Sequence, residues 1–272
     1  MLGKILKHDM RSMSKMAIPM FVSSGVISVI CCTLLYFTYG YSDGADSMLG
    51  AIFVTSGFYL VGVFAIVAMW CAVAFLAFTR YYKSLFTDEG YLNMVLPVKT
   101  VTLFSGKLVS VYIWIIMASV VAAASLAITF VLPTVLYDSQ YFTSFIDTIE
   151  LILGIGYEEV GAMDIAIGLC STALSVLTFL EGVLVVITAI TLGASIMKKR
   201  KVLGSIVFYF AITFVQQSGE DIASGIFDSI FESSPDLSAL IVTVLSILAT
   251  FAISAGMYFL SLYTLNTRFN IE

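Results

Sequence analysis

AIFVTSGFYLVGVFAIVAMWCAVAFLAF, residues 51–78, runs for 28 residues without a charged side chain. As a helix it would be about 42 Å long at 1.5 Å per residue, more than the ~30 Å of hydrocarbon in a bilayer. Working outward, five further apolar runs extend from about Ala17 to Tyr39, Val101 to Leu132, Ile165 to Met197, Val202 to Val215 and Leu237 to Leu265. Together they make six candidate spans. Composition agrees: 60% of the 272 residues are apolar and 11% are charged, against roughly a quarter charged in a soluble domain. One core of this size cannot bury that excess, and lipid is the solvent that takes the rest. The expected fold class is all-α, a polytopic membrane protein with a single transmembrane domain over residues 1–272. The first run is too long for a signal-peptide core and is read as a retained anchor.

All thirteen Lys and Arg fall on one side of this arrangement. Lys4, Lys7, Arg11 and Lys15 precede the first span, Arg80, Lys83, Lys99 and Lys107 flank the second connection, Lys198 to Lys201 form the fourth, and Arg268 follows the last. The first, third and fifth connections hold acids and no basic residue. Basic residues near spans are retained in the cytoplasm, so both termini are expected there, in a multi-pass protein of the cell membrane. The net charge of −5 comes from the outer connections and offers no basic field for nucleic acid.

Several segments depart from plain spans. In residues 1–16, Lys4, Lys7, Arg11 and Lys15 share one helical face while Leu2, Ile5, Leu6, Met13 and Met16 centre on the other. Two readings stay open: an amphipathic helix lying in the membrane interface, or a basic anchor with a frayed end. Asp9 falls amid the apolar face and needs a protein partner. The second connection, Arg80 to Thr100, is too apolar for a simple turn. Tyr81, Tyr82, Leu85 and Phe86 form one short amphipathic turn, Gly90 stops it, and Pro97 prevents easy continuation. Its apolar side chains need a cover, from lipid or from a docked protein. The fifth run has about 14 apolar residues, roughly 21 Å as a helix, so it barely crosses. Ser218 and Asp221 after it resemble a new helix start, giving a short outer-side helix within 216–236, and Phe145, Ile146, Ile149 and Ile152 suggest another within 133–164.

Glu181 is the one acid near the middle of a span, where it costs about 3 kcal/mol to insert. Ser171, Ser175, Thr178 and Gly182 share its face as a small, polar stripe suited to helix packing. Either Glu181 packs against a polar partner or it lines a pathway. Ala118, Ala122 and Ser125, and Ala249, Ala252 and Gly256, are expected to be helix contacts.

Catalytic chemistry is excluded by what the residues lack. The single histidine, His8, precedes the first span, so an intramembrane serine has no histidine base. Glu158 and Glu159 have no nearby histidine for a metal, and the cysteines at 31, 32, 71 and 170 lack metal or redox spacing. Ser105-Gly106-Lys107-Leu108 lacks the earlier glycine and following Ser or Thr of a phosphate loop. No catalytic residue, metal ligand or bound cofactor is expected.

Two stretches resemble a known family, the type-2 permeases of ATP-binding-cassette exporters from Gram-positive bacteria. They are LKHDMRSMSKMAIPM, residues 6–20, and YKSLFTDEGYLNMVLPVKTVTLFSGKLV, residues 82–109, with DEGYL, LPV and SGKL the closest pieces. At motif level the resemblance covers about residues 3–115, and beyond that it is one of topology. It implies a non-enzymatic permease whose 80–100 connection carries a cytoplasmic coupling helix docked on a separate nucleotide-binding ATPase, which would hold ATP and magnesium. It also implies a second permease subunit, identical or homologous. Tyr82, Leu85, Phe86, Asp88, Glu89, Gly90, Tyr91 and Leu92 are the docking residues it suggests. The expected cargo is an amphipathic peptide, antibiotic or lipid-like molecule moving outward. The alternative is a membrane-embedded binding subunit or channel that works without an ATPase.

Overall fold

The computed structural model describes residues 2–41, 48–87, 99–137, 162–197, 200–230 and 235–267. Among them are six helices: α1 Leu2–Tyr41, α2 Met48–Phe86, α3 Thr100–Tyr137, α4 Ala162–Ile196, α5 Lys201–Ile230 and α6 Pro235–Thr267. Each contains a stretch long and apolar enough to cross a bilayer, and the chain is an all-α, six-span membrane protein. Helix is the expected solution, because in lipid a backbone group has no water to bond and must be satisfied within its own segment.

Three boundaries differ from the sequence expectation. The segment 1–16 is not a separate interfacial helix, since α1 is continuous for 40 residues with Pro19 inside it. No glycine or turn residue separates Met16 from the first span, and membrane helices tolerate an internal proline. Asp9 is buried and engaged, as its place on the apolar face demands. Likewise α2 continues through Tyr81–Phe86, so that turn is the end of the second span and not an element of its own. α5 runs unbroken past Val215 to Ile230. Gln216 and Gln217 are good helix formers, and no proline interrupts the chain before Ile230, so the expected short outer helix is the last part of α5. The segment expected to be helical around residues 145–152 lies outside the described residues.

The chain divides into two compact units. One comprises Gly3–Arg80 and Val109–Gly156. Its core is Met69, Val73 and Ala118, with Met20, Phe21, Trp70 and Ala122 packed around them. The small residues expected to be contacts act as such here: Ala118 and Ser125 are buried, and the hydroxyls of Ser125 and Ser24 lie 3.4 Å apart between α3 and α1. Trp70 donates its indole N–H to Ser119 at 3.0 Å. Cys31 and Cys32 are free and buried.

The second unit comprises Met1–Leu2, Tyr81–Leu108 and Tyr157–Glu272. In it α4 is the central helix, packed along α5 on one side and α6 on the other, while α5 and α6 barely touch. Hydrogen bonds between side chains link α4 to three neighbours. Tyr81 of α2 and Thr191 share a bond at 2.9 Å, Ser261 of α6 donates to Thr188 at 3.1 Å, and Gln216 of α5 donates to Glu181 at 2.7 Å. Polar side chains serve as such links in membranes because hydrocarbon offers them no competing partner.

Candidate functional site

The α4–α5 hairpin begins with two glycines. A β-carbon on Gly193 would overlap the backbone nitrogen of Ser205 and lie 2.6 Å from the carbonyl carbon of Gly204, so backbone meets backbone there. From this contact the helices diverge in sequence but not in height. Glu181 lies twelve residues from Gly193 along α4, and Gln216 twelve from Gly204 along α5. Each is about 18 Å from the contact at 1.5 Å per residue. Equal rise brings them level.

Glu181 is 4% exposed and sits at the midpoint of the apolar stretch of α4, Ala166–Ile196. Its Oε1 accepts from Gln216 Nε2 at 2.7 Å, which offsets part of the cost of an acid at that depth. A small cavity of about 260 Å³ adjoins the pair, lined also by Thr178, Tyr209, Thr213 and Gln217. Thr178, Glu181, Thr213, Gln216 and Gln217 give this open cleft a partly polar lining.

A larger groove of about 850 Å³ lies between α5 and α6, which barely touch. α4 forms its floor through Leu174, Thr178 and Thr188, and the walls are mostly Ala, Val, Leu and Ile of α5 and α6. Thr178 and Gln216 line both spaces. The groove thus adjoins the cleft beside Glu181.

The stripe beside Glu181 is used differently from the expectation. Ser171, Ser175 and Thr178 are exposed, and their hydroxyls donate to carbonyls of their own helix, at Gly168, Ser171 and Leu174. Satisfied locally, they need no partner across a helix interface. Gly182 is exposed as well. Ala249, Ala252 and Gly256 are exposed too, so within this chain they are not helix contacts, and Ala249 instead lines the groove.

Of the suggested docking residues, Tyr82 and Phe86 are half-buried on the last turns of α2, their rings stacked with centroids 5.9 Å apart. Leu85 is 1% exposed, so it belongs to the interior and not to a surface a partner could touch. Asp88, Glu89, Gly90, Tyr91 and Leu92 lie outside the described residues. Tyr81, the neighbour of Tyr82, is 1% exposed and bonded to Thr191, ten residues along α4 from Glu181. That is about 15 Å of continuous helix. Sequence reading placed Glu181 in a span and ended the fifth run at Val215, without pairing Glu181 with Gln216; their equal distance from the α4–α5 connection was the available signal. Among the described residues no group of acids, histidines and cysteines could hold a metal ion. Comparison of the chain with models of protein families, with curated proteins and with solved structures finds no match.

Proposed function

We propose that this chain is the membrane-spanning permease subunit of an ATP-binding-cassette exporter in the cell membrane, with both termini cytoplasmic. In this reading it moves an amphipathic peptide, antibiotic or lipid-like molecule outward. A separate nucleotide-binding subunit, holding ATP and magnesium, drives the step, and a second permease subunit completes the pathway. The observation that carries the reading is the bond between Tyr81 and Thr191. It ties the base of the connection that resembles a coupling segment to the helix that floors the groove and holds Glu181. A displacement at Tyr82 or Phe86 would travel along α4 as a rigid element to the groove. A channel would not need such a link.

The test is co-expression with an ATP-binding-cassette ATPase encoded beside this chain. Phe86→Ala combined with Leu92→Ala should release the ATPase or uncouple its hydrolysis from transport, while membrane insertion stays normal. Such interfaces are usually dominated by a few apolar anchors. Persistence of both association and coupling would remove the docking assignment, and failure of any ATPase to associate with the unaltered chain would favour the binding subunit or channel.

A further inference from the structure

From the arrangement of charge along α1 we infer that its exposed side seats one anionic phospholipid, the phosphate held by Arg11 and Lys15 and an acyl chain laid along Ile18, Val22 and Val29. The inference concerns binding by this chain alone. It rests neither on the permease reading nor on which side of the membrane the termini occupy.

At about 100° per residue, Lys7, Arg11, Lys15, Ile18, Val22 and Val29 fall within about 80° of the circumference of α1. All six are exposed. Met13, Ala17, Ser24, Ser28 and Leu35 are buried, and they centre about 130° away round the helix. Packing therefore turns the stripe outward, cations first and aliphatic side chains after. The helix contains one acid, Asp9, and it lies on the far side from the stripe, buried and engaged.

Depth decides the occupant. Lys15 and Tyr36 are twenty-one residues apart, about 32 Å of helix, which matches the ~30 Å hydrocarbon core. Setting that stretch in the core puts Lys15 at its edge, Arg11 about 6 Å further out among the headgroups and Lys7 about 12 Å out on the water side. The cations stand at the level of lipid phosphates, and Ile18, Val22 and Val29 run beneath them at the level of acyl chains. A guanidinium grips a phosphate through paired hydrogen bonds, and an ammonium on its long stem reaches one by snorkelling. A phosphatidylcholine head brings its own cation to the same place and gains little, whereas an anionic head brings none and is attracted. An acidic protein surface would have to enter the headgroup layer to reach Lys15, where a lipid phosphate already lies.

The measurement puts a fluorescent reporter at Val22, about 10 Å inside Lys15 along the helix. Val22→Trp in the full chain, reconstituted in nanodiscs, is quenched on contact by lipids brominated in mid-chain. Brominated phosphatidylglycerol in plain phosphatidylcholine, and the reverse mixture, give the relative affinity of the two heads at that spot, and the unaltered chain supplies the background of Trp70 and Trp114. Phe251→Trp is the reference, exposed on α6, which contains no Lys or Arg, and seventeen residues from Arg268. The expected result is a preference for phosphatidylglycerol of at least about fivefold at Val22→Trp, the factor for one cation near a membrane surface, and none at Phe251→Trp. Adding Arg11→Gln and Lys15→Gln should bring the first value down to the second, with an unchanged size-exclusion profile because both side chains are exposed. Arg11→Lys with Lys15→Arg should keep the preference. Sodium phosphate should lower it no more than sodium chloride of equal ionic strength does. Equal values at the two reporters would overturn the inference and leave the stripe to an acidic protein partner. A preference that survives the paired glutamines, or phosphate competing beyond its ionic strength, overturns it as well.

Discussion

Gly193 of α4 and Gly204 of α5 touch backbone to backbone, and that contact sets the register in which Glu181 finds Gln216. Gly193→Ala puts a methyl group into the Ser205 backbone, which cannot swing aside. The hairpin has to open, at a cost of about 1–3 kcal/mol for overpacking. Gly204→Ala is milder, because its new methyl meets mainly the flexible, exposed Met197 side chain, whose sulfur is 2.9 Å away, and the one backbone atom near it, the Gly193 carbonyl oxygen, lies farther off at 3.1 Å. Thermal unfolding in detergent should show a clear loss for the first variant and a change of less than about 1 kcal/mol for the second, helped by the better helix propensity of alanine.

A double-mutant cycle measures the polar pair itself. Glu181→Leu and Gln216→Leu should each destabilise, and the double variant should recover a coupling of about 0.6 kcal/mol, with an upper bound near 1.7, as for other hydrogen bonds between membrane helices. Glu181→Gln keeps a hydrogen-bonding side chain of the same size and should preserve assembly and transport if the residue packs. A fully assembled but transport-dead Glu181→Gln protein would instead assign the carboxyl group to the pathway.

The bond between Tyr81 and Thr191 predicts an asymmetry. Tyr81→Phe removes one hydroxyl and leaves Thr191 still donating to the Ile187 carbonyl, so the loss should be about 1 kcal/mol. Thr191→Val leaves the Tyr81 hydroxyl buried without that partner and should cost more, up to about 3 kcal/mol. Unfolding midpoints of the two variants, measured side by side, decide it. Equal costs would mean that Tyr81 is satisfied elsewhere.

Orientation can be read with thiols in a cysteine-free background. Single cysteines at Ser139 and Ser233 should react with an impermeant reagent on intact cells. Ser84 is a poor control, since it is 2% exposed. Lys83 and Arg200 are exposed, and cysteines there should stay unlabelled until the membrane is opened. The opposite pattern would invert the arrangement.

The six spans were legible because period and length in lipid leave little choice: a run such as residues 51–78 has only one stable form. Breaks were misjudged where a change in polarity was taken for a change in structure. Gln216 to Ser218 end an apolar run, yet glutamine is content in a helix, so α5 simply continues. The same holds for Met16 and Tyr81. Contacts were legible at Ala118 and Ser125, where small residues face the interior, and not at Ala249 or Gly256, because spacing along one helix does not say which face meets a neighbour. Glu181 stood out by its isolation. The groove did not, being a gap between α5 and α6 that no single segment encodes.

The pairing of Glu181 with Gln216 also bears on how the chain enters the bilayer. α5 is the least apolar of the six spans and the shortest, 19 residues from Lys201 to Gly219, and it carries the polar Gln216 near its far end. Synthesis delivers α4 first. When α5 follows, the glutamine amide meets a carboxylate already at the same depth, and the glycines let the two backbones close together from the turn. α4 and α5 therefore insert best as one helical hairpin. Removing Glu181 would leave α5 with the weaker claim on the membrane of any span in the chain.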